Sequence, residues 1–417
     1  MPSWRSCLQV LMLILALPYN CVFAADTTTS TATIPSSYFG MHIHHLDNPT
    51  PTPWPSVPVP EWRLWDAGVN WPDIEPNKGQ WQFERLDRYV SLARQHGTSI
   101  LLPLGGSPSW ASARPQLASP YSPGFTAEPA NLDDWRTYVR TVVTRYKGRI
   151  PAYEIWNEPN LKDFWSGTTD QMLTLTKEAS QIIHSVDPSA LVVSPSVTAN
   201  YGVPWFEEFL KKGAGQYVDA IGYHFYVDPH TLLPEDMAPV IQRVRQIISD
   251  NGLGSKPLWN TETGWLPPAK FDSDELAAGF LARAYILSWN AGVQRFYWYA
   301  WDNGAVAIVT YKESEHRITP AGHAYQVIQQ WLVGAQMVSC TNNPDNIWTC
   351  LLNRAGKKNW IVWYPQGNRK FDVPKAWQVA SITPLLQDRT TLNESSIEIG
   401  PAPVLLEGRL RVDAPKK

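Results

Sequence analysis

The sequence predicts an α/β protein, a (β/α)8 TIM barrel followed by a small all-β, sandwich-like domain. Three observations predict it. Short apolar strands alternate with amphipathic helices through about 300 residues. The Gly-rich phosphate turn that usually follows the first strand of a doubly wound open sheet is absent. Beyond residue 334 the helical spacing stops, and short apolar runs separated by turn-forming residues take over.

The barrel elements follow in order. "YFGMHIH" (38–44) is the first strand and "EWRLWD" (61–66) the second. The link between them, "HLDNPTPTPWPSVPVP" (45–60), holds six prolines, so the first barrel helix is expected to be replaced by an extended loop. "FERLDRYVSLARQHG" (83–97) has helical spacing at Leu86, Tyr89, Val90 and Ala93, and Gly97 closes it. "SILLPL" (99–104) is strand three, and 131–148 is a helix with Asn131 as its N-cap. "PAYEIWN" (151–157) is strand four, followed by a helix over 169–187 and "ALVVSP" (190–195) as strand five. A helix over 204–212 precedes strand six, "VDAIGYHFY" (218–226), and a helix over 238–250 precedes strand seven, "KPLWNTE" (256–262). A helix from the Ser273 cap to the Gly292 stop leads to strand eight, "VQRFYWYAWD" (293–302), and a helix over 320–333 ends the series. The catalytic barrel thus spans 38–334 and the C-terminal β-domain 335–417.

Composition narrows the function classes. The 417 residues are 44% hydrophobic and 18% charged, an ordinary globular balance that argues against disorder or a fibrous repeat. Trp (21), Tyr (17) and Pro (36) are the unusual counts; aromatic faces suit sugar rings, and they equally suit a large core. Residues 1–24 read as a signal peptide, with Arg5 ahead of the apolar "LQVLMLILAL" (8–17) and a cut after Ala24; a Thr/Ser-rich leader (25–37) follows. A lipid anchor at Cys21 is the weaker alternative, because Asn20 is not the small residue that such a site prefers. The expectation is a periplasmic or secreted protein. The formal charge of −3 becomes −4 once Arg5 leaves, and with no basic block this argues against a nucleic-acid partner. Cys340 and Cys350 are then the remaining pair, read as a disulfide in an exported chain, with two free buried thiols as the alternative.

In such a barrel the active site lies at the C-terminal ends of the strands. Alternation places Glu154, Trp156 and Glu158 on one face of strand four, with Glu158 at the tip. It places Leu258, Asn260 and Glu262 on one face of strand seven, with Glu262 at the tip. Strand six offers Gly222, His224 and Tyr226, strand two Arg63, strand one His42 and His44, and strand eight Trp298. Two carboxylates on opposite sides of one rim are what glycoside hydrolysis requires: one protonated to assist the leaving oxygen, one ionised to attack or to activate water. Arg63 can keep one of them ionised, Asn157 can hold a neighbouring sugar hydroxyl, and Glu154 reads as a paired barrel carboxylate rather than a catalyst. "HIHH" (42–45) lacks the further ligands that would complete a metal site, so sugar contacts from His44 are expected instead. A G-x-S-x-G turn for serine chemistry is absent.

"WNEPN" (156–160) and "NTETGW" (260–265) resemble the retaining glycoside hydrolases of clan A. "RLWDAGVNWPDIEPNKGQWQFERLD" (63–87), "GSPSWASARP" (106–115) and "IGYHFY" (221–226) look most like glycoside hydrolase family 39, in its bacterial exopolysaccharide-hydrolase branch. The resemblance implies Glu158 as general acid/base and Glu262 as nucleophile, with their carboxyls about 5–5.5 Å apart. It further implies that Asn157 contacts the 2-hydroxyl, that Arg63, His224 and Tyr226 orient or ionise Glu262, and that Trp298 forms a platform under the sugar. Neither a metal nor an organic cofactor is implied, and the partner is a polysaccharide or oligosaccharide.

The loops carry Trp54, Trp71, Trp110, Tyr121, Phe125, Trp165 and Trp265. Lining an open groove, they would favour endo cleavage of a bacterial exopolysaccharide. A pocket closed at one end would instead mean an exo-acting enzyme such as a β-xylosidase. A non-catalytic carbohydrate-binding envelope protein is the rival from another class, and retention of both Glu158 and Glu262 argues against it.

Overall fold

The structure is a computed structural model that describes residues 32–48, 51–228, 233–265, 271–304, 306 and 308–409. The signal-peptide reading, with Cys21 and Ala24, lies outside the described residues.

The first sheet is built from parallel strands β1 (Phe39–Met41), β2 (Glu61–Arg63), β3 (Ser99–Leu104), β4 (Ala152–Ile155), β5 (Leu191–Val193), β6 (Val197–Thr198), β7 (Ile221–His224), β8 (Leu258–Thr263) and β9 (Val293–Trp298). Their order is β5-β4-β3-β2-β1-β9-β8-β7-β6. The pieces β5 and β6 are one fifth barrel strand interrupted at Ser194–Ser196. The first pairs with β4 and the second with β7, and bridges at Asn157–Ser196 and Val193–Ala220 complete the ring. The result is an eight-stranded, TIM-like barrel, as the alternating sequence predicts.

Helices α1 (Trp71–Ile74), α2 (Glu84–His96), α3 (Leu132–Tyr146), α4 (Thr169–Val186), α5 (Val203–Lys211), α6 (Met237–Asp250), α7 (Asp274–Asn290) and α8 (Pro320–Leu332) surround it. Their ends are set by local chemistry. Asn131 Oδ1 accepts from the Asp133 amide, Thr168 forms a reciprocal box with Gln171, and Ser273 Oγ accepts from the Leu276 amide. Gly97, at φ 66°, ends α2 in the left-handed conformation that glycine adopts without penalty. Among the described residues no helix links β1 to β2. The proline-rich segment is extended, with Thr52 Oγ1 donating to Asp302 and Trp54 stacked on His96 at 4.3 Å.

The barrel interior is layered. Its lower layer is apolar, made by Leu101, Ala152, Val193, Ala220, Trp259 and Tyr297. Gly40 belongs to that layer because a Cβ there would enter the Tyr297 ring. The layer above is polar, with Arg63, Glu154, Ser196 and Thr261 all buried.

A hairpin, β10 (Tyr311–Lys312) and β11 (Arg317–Ile318), precedes α8. The remaining strands are β12 (Gln336–Asn342), β13 (Trp348–Arg354), β14 (Lys357–Trp363), β15 (Arg369–Asp372), β16 (Val379–Pro384), β17 (Thr390–Thr391), β18 (Ser396–Ile399) and β19 (Val404–Gly408). They form an antiparallel sheet, β12-β13-β14-β19-β16-β17, and a β15-β18 pair. Cys340 and Cys350 sit opposite each other in the β12–β13 register and are joined by a disulfide. The sheet domain packs on α7, whose residues 278–289 are all buried. Glu235 ties the contact, accepting from buried Arg283 at 2.8 Å and from the Trp363 indole at 2.9 Å.

Candidate active site

Two carboxylates meet at the barrel mouth, and the backbone that delivers them departs from regular strand geometry. In the Glu158 segment, β4 ends at Ile155; Trp156 and Glu158 then adopt positive φ of 69° and 45°. The turn breaks the alternation read from the sequence. Glu154 points into the barrel, whereas Trp156 points outward against Trp135 and Trp165, so the three do not share a face. The Glu158 amide donates to Ser196 O at 2.8 Å, which fixes the turn to the fifth barrel strand.

Glu262 reaches the mouth by a different device. On β8, Trp259 lies in the barrel interior and Thr261 Oγ1 donates to Glu154 at 2.8 Å, while Asn260 faces away and pairs with Thr263. The ladder with β9 slips between Asn260 and Thr263. This irregularity turns Glu262 inward directly after Thr261. The expected face of Leu258, Asn260 and Glu262 is therefore wrong, although the position of Glu262 at the rim is right.

Arg63, fully buried, holds the constellation together. Its Nε donates to Glu154 at 2.6 Å, Nη1 to Glu262 Oε2 at 2.8 Å and Nη2 to Asn157 Oδ1 at 2.7 Å. Tyr226 donates its hydroxyl to Glu262 Oε1 at 2.9 Å. His224 was expected to orient or ionise Glu262; its Nδ1 lies 2.8 Å from Glu158 Oε1 instead of bonding Glu262, while its electrostatic influence on Glu262 favours the ionised carboxylate. One oxygen of Glu158, one of Glu262 and a ring nitrogen of His224 lie within 4.8 Å of one another. That spacing could suit a cation, but the Arg63 guanidinium already brings the positive charge to it.

Burial pushes Glu158 up to about 7, against hydrogen bonding from Thr198 and the charge of Arg63. Burial also pushes Glu262 up to about 7; the charge of Glu158 adds to the rise, and His224 and Arg63 oppose it. Burial drives the His224 imidazole down to about 4, so the ring is neutral at neutral pH. The two carboxyls titrate as a coupled pair, and hydrogen bonding decides where the shared proton rests. Glu262 accepts from a guanidinium and a phenol, both of which favour its ionised form. Glu158 has the neutral imidazole of His224 and the hydroxyl of Thr198 beside it.

Several buried polar atoms around this pair have no hydrogen-bond partner among the described residues: Asn157 Nδ2, His224 Nε2, His42 Nδ1 and His44 Nε2; His44 Nδ1 faces Asp302 at 3.6 Å. Buried polar groups are normally satisfied, so this set is suited to receive the hydroxyls of a bound sugar.

The tryptophans fare differently. Trp298 is fully buried, on the outer face of β9 against Phe280, with its indole donating to Ile308 O; it offers no platform. Trp165 packs on Trp156, and Trp265 on Phe280 and Phe271, each only 1% exposed. Trp71 stacks on Tyr138 and Phe125 on Tyr121. Trp110 is half-buried, edge-on to Trp71, with its indole donating to Glu75 O at 2.9 Å. The loops spend most of these rings on packing themselves down, and the expected aromatic-lined groove is not formed by them.

Asp66 is the residue that sequence reading missed. At φ 55° it turns back over the mouth, accepting from Tyr121 at 2.6 Å and from Tyr299 at 2.7 Å. Its charge reaches both Glu158 and Glu262. The one available signal was its place three residues beyond Arg63. Trp65, Phe125, Phe164 and Tyr299 cluster beside it.

The family model described as glycosyl hydrolases family 39 matches residues 65–301. Among curated proteins, a β-xylosidase of Geobacillus stearothermophilus is 26% identical over 229 residues, covering 49% of this chain and 45% of that protein. A β-xylosidase of Caldicellulosiruptor saccharolyticus is 28% identical over 152 residues, covering 34% and 31%. The chain thus spans less than half the length of these curated relatives. Among solved structures, a family 39 glycoside hydrolase from Bacteroides cellulosilyticus WH2 superposes with a TM-score of 0.72 at 17% identity, covering 90% of this chain and 81% of that one. A GH39 β-xylosidase from Caulobacter crescentus gives 0.64 at 16% identity, covering 92% and 98%; both likenesses concern the fold. With the family match covering more than half of the chain, the protein belongs to glycosyl hydrolases family 39.

Proposed function

We propose that the protein is a retaining, exo-acting β-glycosidase of the β-xylosidase type, with Glu262 as nucleophile and Glu158 as acid/base. The observation that carries the mechanism is the placing of carboxyl oxygens of Glu158 and Glu262 within 4.8 Å of each other. Retaining enzymes hold the pair at about 5–5.5 Å, whereas inverting ones leave about 6.5–9.5 Å for a water. Ionised Glu262 attacks the anomeric carbon while Glu158 gives its proton to the departing oxygen. Glu158, now a carboxylate, takes a proton from the water that releases the glycosyl group from Glu262. Glu154 is sealed beneath Arg63 by Thr261 and Ser196 and serves to hold that guanidinium.

Two observations support exo action over the endo, exopolysaccharide-degrading reading. The rings expected to line a long groove are packed away, and Trp65, Phe125, Phe164 and Tyr299 pack into one cluster beside Asp66. The relatives named as β-xylosidases point the same way. Export is part of the proposal, supported by the apolar run at 8–17 and by the Cys340–Cys350 bridge, which suits an oxidising compartment. Digestion of xylo-oligosaccharides, with products sized over time, tests the reading. Release of xylose alone from chain ends is expected; an early ladder of shorter oligosaccharides would overturn exo action.

A further inference from the structure

The loops at the mouth leave two aromatic rings exposed among the described residues, Tyr121 at 38% and Tyr201 at 66%. The charge of Glu262 reaches Tyr121, and that of Glu158 reaches Tyr201. Tyr121 is bonded to Asp66 and packs on Trp65 and Phe125. Tyr201 sits in the 3-10 turn Asn200–Gly202, directly after the fifth barrel strand.

That turn is fastened to the Glu158 segment. Asn160, two residues beyond Glu158, accepts from the Thr198 amide at 3.0 Å, and a Cβ at Gly202 would lie 3.2 Å from the Asn160 amide nitrogen. Ala199, which leads into the turn, has φ 55° and ψ −179°, a conformation costly for any residue but glycine. Three hydrogen bonds hold it: its amide donates to His224 O at 2.9 Å, and its carbonyl accepts from the Tyr223 hydroxyl at 2.7 Å and from the Gly202 amide at 3.2 Å. A strained, three-point anchor is thus used to present a ring that then packs on little of its own protein. Strain of this kind collects at ligand clamps.

We propose that Tyr201 is the stacking platform of the leaving-group subsite and receives the pyranose ring whose oxygen Glu158 protonates. The assignment rests on the reading of Glu158 as the acid, because the leaving sugar must lie on the acid's side of the cleavage point. The charge of Glu158 reaches this ring: partial burial and that charge together hold the Tyr201 hydroxyl above its ordinary value. Tyr121 and Asp66 then face the sugar that stays behind. Aromatic rings stack well on the apolar face of a pyranose, and one such contact is worth roughly a tenfold change in affinity.

Three proteins decide it: wild type, Tyr201→Ala and Tyr201→Phe, each assayed on xylobiose and on β-xylosyl fluoride. The disaccharide has a sugar leaving group, and the fluoride has none. For Tyr201→Ala, kcat/KM on xylobiose is expected to fall about tenfold, with the fluoride unchanged; Tyr201→Phe keeps both rates. Equal rates of all three proteins on xylobiose, or an equal loss on both substrates in Tyr201→Ala, would overturn the platform. If the wild type turned over neither probe, the xylosidase reading would fail on its own. The platform is then judged by saturation-transfer NMR with free xylose and methyl β-glucoside. A signal lost in Tyr201→Ala and kept in Tyr201→Phe supports it, and a signal that survives in Tyr201→Ala, or no signal from the wild type, overturns it.

Discussion

Glu158 is held where a carboxylate is least comfortable, buried to 7% exposure with a neutral imidazole as its ring partner. Its acidity therefore has a stability signature. In the unfolded chain it loses its proton near its ordinary value of 4.5, and in the folded protein only near 7. Between those values the folded state binds more protons than the unfolded one, so the stability contributed is fully present below pH 4.5 and is lost as pH rises through 7. Glu158→Gln removes this liability. The variant is expected to match the wild type in stability at pH 4 and to exceed it at pH 8 by up to about 3 kcal/mol, seen as a higher Tm at pH 8 only. Hydrolysis of glycosides with poor leaving groups should fall by about 10²–10⁴-fold in the same protein. Thermal unfolding at the two pH values, beside initial rates, checks both; an equal or lower Tm at pH 8 would contradict the buried, protonated state of Glu158.

The elements show what sequence could and could not supply. Helix limits were legible because caps are local: Asn131, Ser273 and Gly97 act within three or four residues of themselves. The rim positions of Glu158 and Glu262 were legible because each ends a strand-like run. Their faces were not, because positive φ at Trp156 and Glu158 and the slip in β8 break the period of two. The partner of His224 and the position of Asp66 depend on contacts across the barrel, 66 residues away for His224 and 233 for Asp66. Gly222 on β7 tests how tightly these elements fit. A Cβ there would press on Ser196 Oγ and lie 3.1 Å from Val193 Cγ1 and 3.3 Å from Glu154 Oε1. Gly222→Ala should destabilise the protein by about 1–3 kcal/mol and lower kcat by loosening Arg63. Gly254→Ala, with open space around it, serves as the control. Denaturant midpoints that move equally for both would contradict the packing described for the polar layer.

At the scale of the whole molecule, the barrel and the sheet domain share α7. A helix buried on all sides from residue 278 to 289 makes sense only between two layers, and the Arg283–Glu235–Trp363 contact joins them there. The mouth lies at the C-terminal ends of the barrel strands, where one side carries Glu262 with Arg63, Tyr226 and Asp66, and the other carries Glu158 with His224 and Tyr201. On the proposed mechanism, attack comes from the first side and protonation from the second. Trapping with 2,4-dinitrophenyl 2-deoxy-2-fluoro-β-xyloside, followed by peptide mapping, tests it most directly. The account predicts a covalent glycosyl adduct on Glu262 that turns over slowly, with none on Glu158. An adduct on another residue, or no adduct in a protein that hydrolyses xylosides, would contradict it.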